Sequence, residues 1–195
     1  MKEKLGWYLN RLRAMSPEEI VARGHLAIKK KNWQRRTHWV APQPNLSDLD
    51  VWKLPTLTPE NIPEEQALLS EADRYLQGKY SLLNLFVEES QIDWHLDPLT
   101  GKRPPLEFGP DLNYRDPFLA GNVKNIWEKN RHHHLTILAL AYGLTKNEDY
   151  ALAVEQQLHS WVKHNPFPLG VNWTSSLELG VRLISWIWCD RLLRG

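Results

Sequence analysis

The sequence predicts an all-α chain built of helical hairpins, with one short extended or hairpin segment around residues 81–105. Three observations carry that expectation. From Asn122 onward, apolar residues recur at helical spacing through three long stretches with short breaks between them. Near the N-terminus, Ser16-Pro17-Glu18-Glu19 offers a Ser N-cap, a first-turn Pro and a Glu that closes a capping box. Strand-like patterning is confined to residues 81–87 and 92–95, followed by turn chemistry at Asp97-Pro98-Leu99-Thr100-Gly101.

The elements follow in chain order. Residues 1–36 carry ten Lys or Arg against three Glu, a net of +7, which leaves −6 over the remainder of a chain whose total is +1. They form a basic helical arm from the Ser16 cap to about Arg36. Such a helix either stands solvated or lies against an anionic surface, a membrane face or an acidic polymer. Residues 37–63 contain Pro42, Pro44, Pro55, Pro59 and Pro63, and proline removes backbone donors, so this stretch is an extended linker or strap. A helix over residues 64–77 ends at Gly78. Three further helices are expected at about 122–143, from an Asn147 cap to about His164 before Pro166, and from about Thr174 to Arg194. The last is apolar nearly all round, with Leu177, Val181, Ile184 and Trp188 on one stripe and Leu179, Leu183, Trp186 and Ile187 outside it. Helices of that kind are buried on several faces, so further helices or a partner chain are expected to cover it. Successive helix pairs suit a ring or stack of α-hairpins.

Composition narrows the classes. The chain has 195 residues, 42% hydrophobic and 24% charged, enough for one domain plus an arm. A single cysteine, Cys189, excludes an internal disulfide. Residues 5–9 are broken by Gly6 and followed by Asn10 and Arg11, so no signal peptide is read. Glu178, Arg182, Asp190 and Arg191 exclude a membrane span from the last helix, leaving cytoplasm and periplasm both open. No GxGxxG or Walker motif is present; no cofactor and no nucleic acid are expected.

The chemistry is concentrated in two runs, Trp127-Glu128-Lys129-Asn130-Arg131 and Asn172-Trp173-Thr174-Ser175. Indoles cover apolar sugar faces, guanidinium forks pair with carboxylates, and amides bond hydroxyls, a mixture suited to an acidic sugar. On one continuous helix Trp127, Arg131 and His134 share a face, with Asn130 beside them. The candidate substrate-binding residues are therefore Trp127, Asn130, Arg131, His134, Asn172 and Trp173. The alternative makes Trp127 core, Glu128 and Arg131 an ordinary helix pair, and Asn172 and Trp173 a cap and an aromatic plug. Glu178 and Arg182, four apart, read as a buried ion pair. His132-His133-His134 does not read as a metal site, because consecutive helical side chains diverge by about 100°.

Asp97-Pro98-Leu99-Thr100-Gly101-Lys102-Arg103, Asn113-Tyr114-Arg115-Asp116, the run from Trp127 to Arg131, Ala141-Tyr142-Gly143-Leu144-Thr145, Asn165-Pro166 and Gly170-Val171-Asn172-Trp173-Thr174-Ser175, in that order, resemble the N-terminal domain of the heparinase II/III-like polysaccharide lyases. The resemblance covers roughly residues 60–195, and the basic start resembles members from bacterial surface-polysaccharide gene clusters. It implies a partial (α/α) toroid over residues 64–195, a substrate cleft shared with a C-terminal β-sandwich, and β-elimination at a uronate of an acidic polysaccharide. It also implies that the catalytic Asn-His pair and Tyr lie beyond Gly195, so no catalytic residue is assigned and activity of this segment alone is not expected. A non-catalytic binding or assembly module that needs a partner chain, and a truncated product, are the competing readings.

Overall fold

The computed structural model describes residues 6, 10–11, 13–36, 64–82 and 85–194; the proline-rich stretch expected at 37–63 lies outside them. The chain divides into two units, residues 1–44 and 45–195. In the first, helix α1 (Pro17–Arg35) begins as its capping box requires, the Ser16 hydroxyl accepting from the Glu19 N–H. Arg23 pairs with Glu19 one turn back, and no residue of the helix is buried. Ile20, Val21 and Ile28 lie to one side and Leu26 to the other, with cations between them. A helix so arranged spreads its apolar residues over more than one side.

The second unit is helical around one small hairpin. Helix α2 (Glu65–Leu76) ends at Gly78, whose φ of 75° and 2.3 Å approach of an added Cβ to the Glu89 carbonyl leave room for glycine only. Strands β1 (Lys79–Leu82) and β2 (Leu85–Glu88) pair antiparallel with Tyr80 opposite Val87. Tyr80, Leu82 and Val87 face the core while Phe86 faces solvent. Residues 92–95 form no strand; Trp94 and His95 are buried from an irregular segment instead.

Short α3 (Pro117–Ala120) and α4 (Val123–Asn130) lead into α5 (His133–Thr145), α6 (Glu148–His164) and α7 (Ser176–Arg194), with 3-10 turns at Gly109–Asp111 and Val171–Trp173. The single helix expected over 122–143 is two helices, because His132 adopts φ 63° and turns the chain between α4 and α5. Trp127 and His134 therefore do not share a face. The Asn147 cap on α6 forms as expected, and α7 starts at Ser176, after a 3-10 turn that holds Asn172.

Helix α5 is the centre of the core and packs against α2, α6 and α7, with Leu135, Leu138 and Ala139 fully buried. Lys129, wholly buried, reaches Glu89 at 2.8 Å and ties the hairpin to α4. Helix α7 turns Glu178, Arg182, Ser185, Cys189 and Leu192 inward. Its other side exposes Leu177, Leu183, Ile184, Ile187 and Trp188. Among the described residues no helix is long and apolar enough to cross a membrane.

Candidate functional site

The residues singled out in the two sequence runs meet where α4 ends, the 165–175 loop passes and α7 begins. Each is brought there by local backbone chemistry. The Asn122 side chain caps α4 by accepting from the Lys124 N–H, and Asp97 fixes that cap from the preceding turn. The Asp97 carboxylate, fully buried, accepts from the N–H groups of Leu99 and Asn122, the Thr100 hydroxyl and the Asn125 amide. Burial pushes its pKa up, but these hydrogen bonds outweigh that and hold it below the ordinary value. The loop is held by pairing of residues 107–109 with 168–170. A Cβ at Gly109 would stand 2.8 Å from the Gly170 carbonyl oxygen, so only glycine permits that approach.

At the centre, Asn130 and Asn172 bond each other. The Asn130 amide donates to the carbonyls of Trp94 and Ile126, and its oxygen accepts from Asn172 Nδ2 at 2.9 Å and from Trp161 Nε1 at 2.7 Å. Asn172 also donates to Asn165 Oδ1 and to the Trp94 carbonyl. Arg182 closes the knot from α7: its Nε–H donates to the Asn130 carbonyl at 2.8 Å, and its terminal nitrogens lie 3.3 Å from the Asn172 carbonyl. Its guanidinium sits 4.4 Å from the centre of the Trp161 ring. Burial lowers its pKa to about 10, which still leaves it charged at neutral pH. Glu178 pairs with Arg131, not with Arg182 as expected, through two bonds of 2.7 and 2.9 Å, and Glu128 joins from one turn back. The helix break explains the exchange: it ends α4 at Asn130 and carries Arg131 to the start of α7.

Each candidate residue then has a definite place. Trp127 is buried, its indole N–H donating to the Val171 carbonyl, with Tyr114 packed on its ring and the Arg115 guanidinium over Tyr114. Asn130 and Asn172 are fully buried, their amides engaged within the chain. Arg131 keeps 24% of its side chain exposed. Trp173 is half-buried, bonded to the Asn165 carbonyl and packed edge-on against Phe167. His134 is apart from the others, its Nε2–H donating to Gln157 among Tyr75 and Tyr80. Asn130, Asn172 and, through Asn165, Trp173 are joined in one hydrogen-bond network, while Trp127 bonds the Val171 carbonyl and Arg131 its own pair of carboxylates beside it. The two that retain surface are Arg131 and Trp173.

His132 fills the space between Trp94, Trp161 and Trp186. Trp186 Nε1–H donates to its Nδ1 at 2.7 Å, so the ring is neutral with its proton on Nε2, which has no partner among the described residues. Burial drives its pKa well down, and lowers that of His134 to about 4. Neither imidazole is accessible to act as a base on a polymer. Among the described residues no group of three or more His, Cys, Asp or Glu is arranged to hold a metal ion.

Sequence reasoning passed over Trp161, the bonding role of Asn165 and the true partners of Arg182. A signal was present: Trp161 and Asn165 lie four apart at the end of α6, just before Pro166, where an Asn amide can turn back onto helix carbonyls, as Asn165 does onto Trp161.

The profile of the heparinase II/III N-terminus matches residues 33–187, well over half of the chain. The chain belongs to that heparinase II/III family. Among solved structures, the heparan sulfate lyase HepC of Pedobacter heparinus, in a mutant form, superposes with a TM-score of 0.52 at 18% identity. The match covers 95% of this chain and 25% of HepC, so the chain spans about a quarter of that enzyme's length and shares its fold over that part. No curated protein matches the chain. Membership makes this mostly helical chain a polysaccharide lyase-related segment, and the residues of the knot lie within the matched stretch.

Proposed function

We propose that this chain forms the first part of an (α/α) toroid in a lyase that cleaves acidic, uronate-containing polysaccharide by β-elimination, and that it supplies a rim for the polymer, not the base. The observation that carries the reading is the buried knot. It fixes the 165–175 loop and the start of α7 so that Trp173 and Arg131, the candidates with exposed surface, stand on a rigid support. Trp173 would stack on a pyranose face and Arg131 would meet a carboxylate. Trp127, Asn130 and Asn172 position that rim from beneath, and His134 braces the core behind it.

Elimination needs the uronate charge neutralised, the C5 proton removed and the 4-linked oxygen released. His132 and His134, neutral and enclosed, are unsuited to the second step, so the base is assigned outside the described residues. Family membership and the named substrate of HepC support an acidic polymer as the ligand.

The test follows unsaturated uronate by its ultraviolet absorbance over a panel of acidic polysaccharides, using this chain alone and the chain fused to the catalytic remainder of a family lyase. Product from the fusion alone, reduced about tenfold in kcat/KM by Trp173→Ala, is expected. Product from the 195-residue chain would overturn the placement of the base. A silent fusion beside an active parent lyase would overturn the lyase reading.

A further inference from the structure

Two concavities run along one face of α6. The larger, of about 1200 Å³, lies between the end of α2, residues 90–94 and α6; the smaller, of about 760 Å³, lies among residues 91–95, 103–106 and 163–166. They share Gln91, Ile92, Trp94, Lys163 and His164 and so form one groove, lined by neither Trp127, Arg131 nor Trp173.

The lining of the groove is unusual for a helical protein. Four glutamines, Gln77, Gln91, Gln156 and Gln157, and two serines, Ser90 and Ser160, surround the larger part, with the carboxylates of Asp149 and Glu155 toward the start and middle of α6 and buried Tyr75, Tyr80 and Trp94 behind them. A glutamine amide offers two donors and an acceptor, the inventory that sugar hydroxyls require. Gln91 and Gln156 make no hydrogen bond to another described side chain. In the smaller part the charge turns positive. Arg103 is paired with Asp93, while Lys163, exposed on the last turn of α6, has no carboxylate partner among the described residues. His95, 8% exposed, lies in the same wall. Its Nε2–H donates to the His164 carbonyl at 2.9 Å, which leaves Nδ1 a bare acceptor without a donor. That atom is itself buried on the side of Gly170, so His95 stiffens the wall of the groove and offers nothing to a ligand.

We infer that this groove is a second saccharide subsite, in which the α6 and 90–95 amides and hydroxyls bond sugar hydroxyls while Lys163 takes the carboxylate or sulfate of an acidic unit. The inference rests on the acidic-polysaccharide reading above and extends it to a surface distinct from the Trp173 rim. The combined volume exceeds that of a pocket for one small ligand, so the groove holds more than one sugar unit. Amides and the Asp149 and Glu155 carboxylates meet hydroxyls in the larger part, so the acidic group is confined to the Lys163 end, where the carboxylate of Asp93 is already paired with Arg103.

Calorimetric titration of the 195-residue chain with defined uronate oligosaccharides, sulfated and unsulfated, and with their carboxyl-reduced counterparts tests it. Lys163→Gln is expected to weaken binding of the acidic forms about tenfold and leave the reduced forms nearly unchanged, and Gln156→Leu to weaken both by about tenfold. Circular dichroism and thermal melting of both variants should match the parent, since both side chains are outside the core. Binding that survives both substitutions, or no binding by the parent chain, would overturn the subsite. Neither result touches the elimination assay of the fusion, so failure of the subsite and failure of the lyase reading are separately visible.

Discussion

The knot at Asn130 and the groove along α6 draw on the same residue types and put them to opposite uses. In the knot the amide N–H groups are consumed: Asn130, Asn172 and Asn165 bond one another, an indole N–H and backbone carbonyls, Arg182 spans two carbonyls, and of the three amide oxygens only that of Asn172 has no partner among the described residues. In the groove, Gln91, Gln156 and Lys163 line open space without side-chain partners among the described residues. Polar residue type does not separate support from recognition; the number of internal partners does. A buried amide with its bonds made holds a loop in place, and removing it leaves the partners unsatisfied. An amide facing a concavity costs little to remove until a ligand is present.

The strongest way to break this contrast is at Arg182. It is 2% exposed, and its loss would free the carbonyls of Asn130 and Asn172 and uncover the Trp161 face. Arg182→Ala is expected to cost about 4 kcal/mol of unfolding free energy, read by urea denaturation. Arg182→Lys should recover less than half of it, because an ammonium cannot span both carbonyls. At the foot of α4, Asp97→Ala orphans the donors of Leu99, Thr100, Asn122 and Asn125 and is expected to cost about 3 kcal/mol by the same measurement. A loss below about 1 kcal/mol at either position would remove the distinction between knot and groove.

Proton linkage sharpens the comparison without mutation. His134 has a folded-state pKa lowered from 6.5 to about 4, so the unfolded chain takes up the proton first as pH falls. Its contribution is complete above about pH 6.5 and disappears toward pH 4, a loss of about 3 kcal/mol, and His132 shifts in the same direction. Asp97 acts in a lower window. Its pKa is lowered, so the stability it gives is present above 3.8 and is lost as pH falls through the folded value. Denaturation curves between pH 7 and 4 should therefore decline while Asp97 remains charged, and His134→Gln should flatten that decline.

Much of the fold was legible. The capping box at Ser16, the helix start at Asn122, the Asn147 cap, the stop at Gly78 and the end of α6 before Pro166 are local signals, and local backbone chemistry decided those elements. What was not legible depended on tertiary contacts. Nothing in Arg131-His132-His133 marks a helix break, since neither Pro nor Gly is present; the left-handed turn at His132 is held by Trp186 from a helix 54 residues away. That break also reassigned Glu178 from Arg182 to Arg131. Of the six candidate residues His134 lies apart, and burial separates partly exposed Trp173 and Arg131 from the interior of Asn130, Asn172 and Trp127. Spacing gives the face of a helix, and only packing tells whether that face is covered.

Two adjacent glutamines provide the finest comparison. Gln157 accepts from buried His134 Nε2–H at 2.9 Å, whereas Gln156 makes no such bond and stands in the groove wall. Residue type and helix are the same, while burial and partner differ: Gln157 is half-buried and Gln156 exposed. Gln157→Leu strands an imidazole N–H in the core and is expected to lower stability by about 1–2 kcal/mol. Gln156→Leu should change it by less than about 0.5 kcal/mol, as surface substitutions away from such features do. Reversal of that order in thermal or urea unfolding would mean that internal partnering does not set the role of polar side chains on α6.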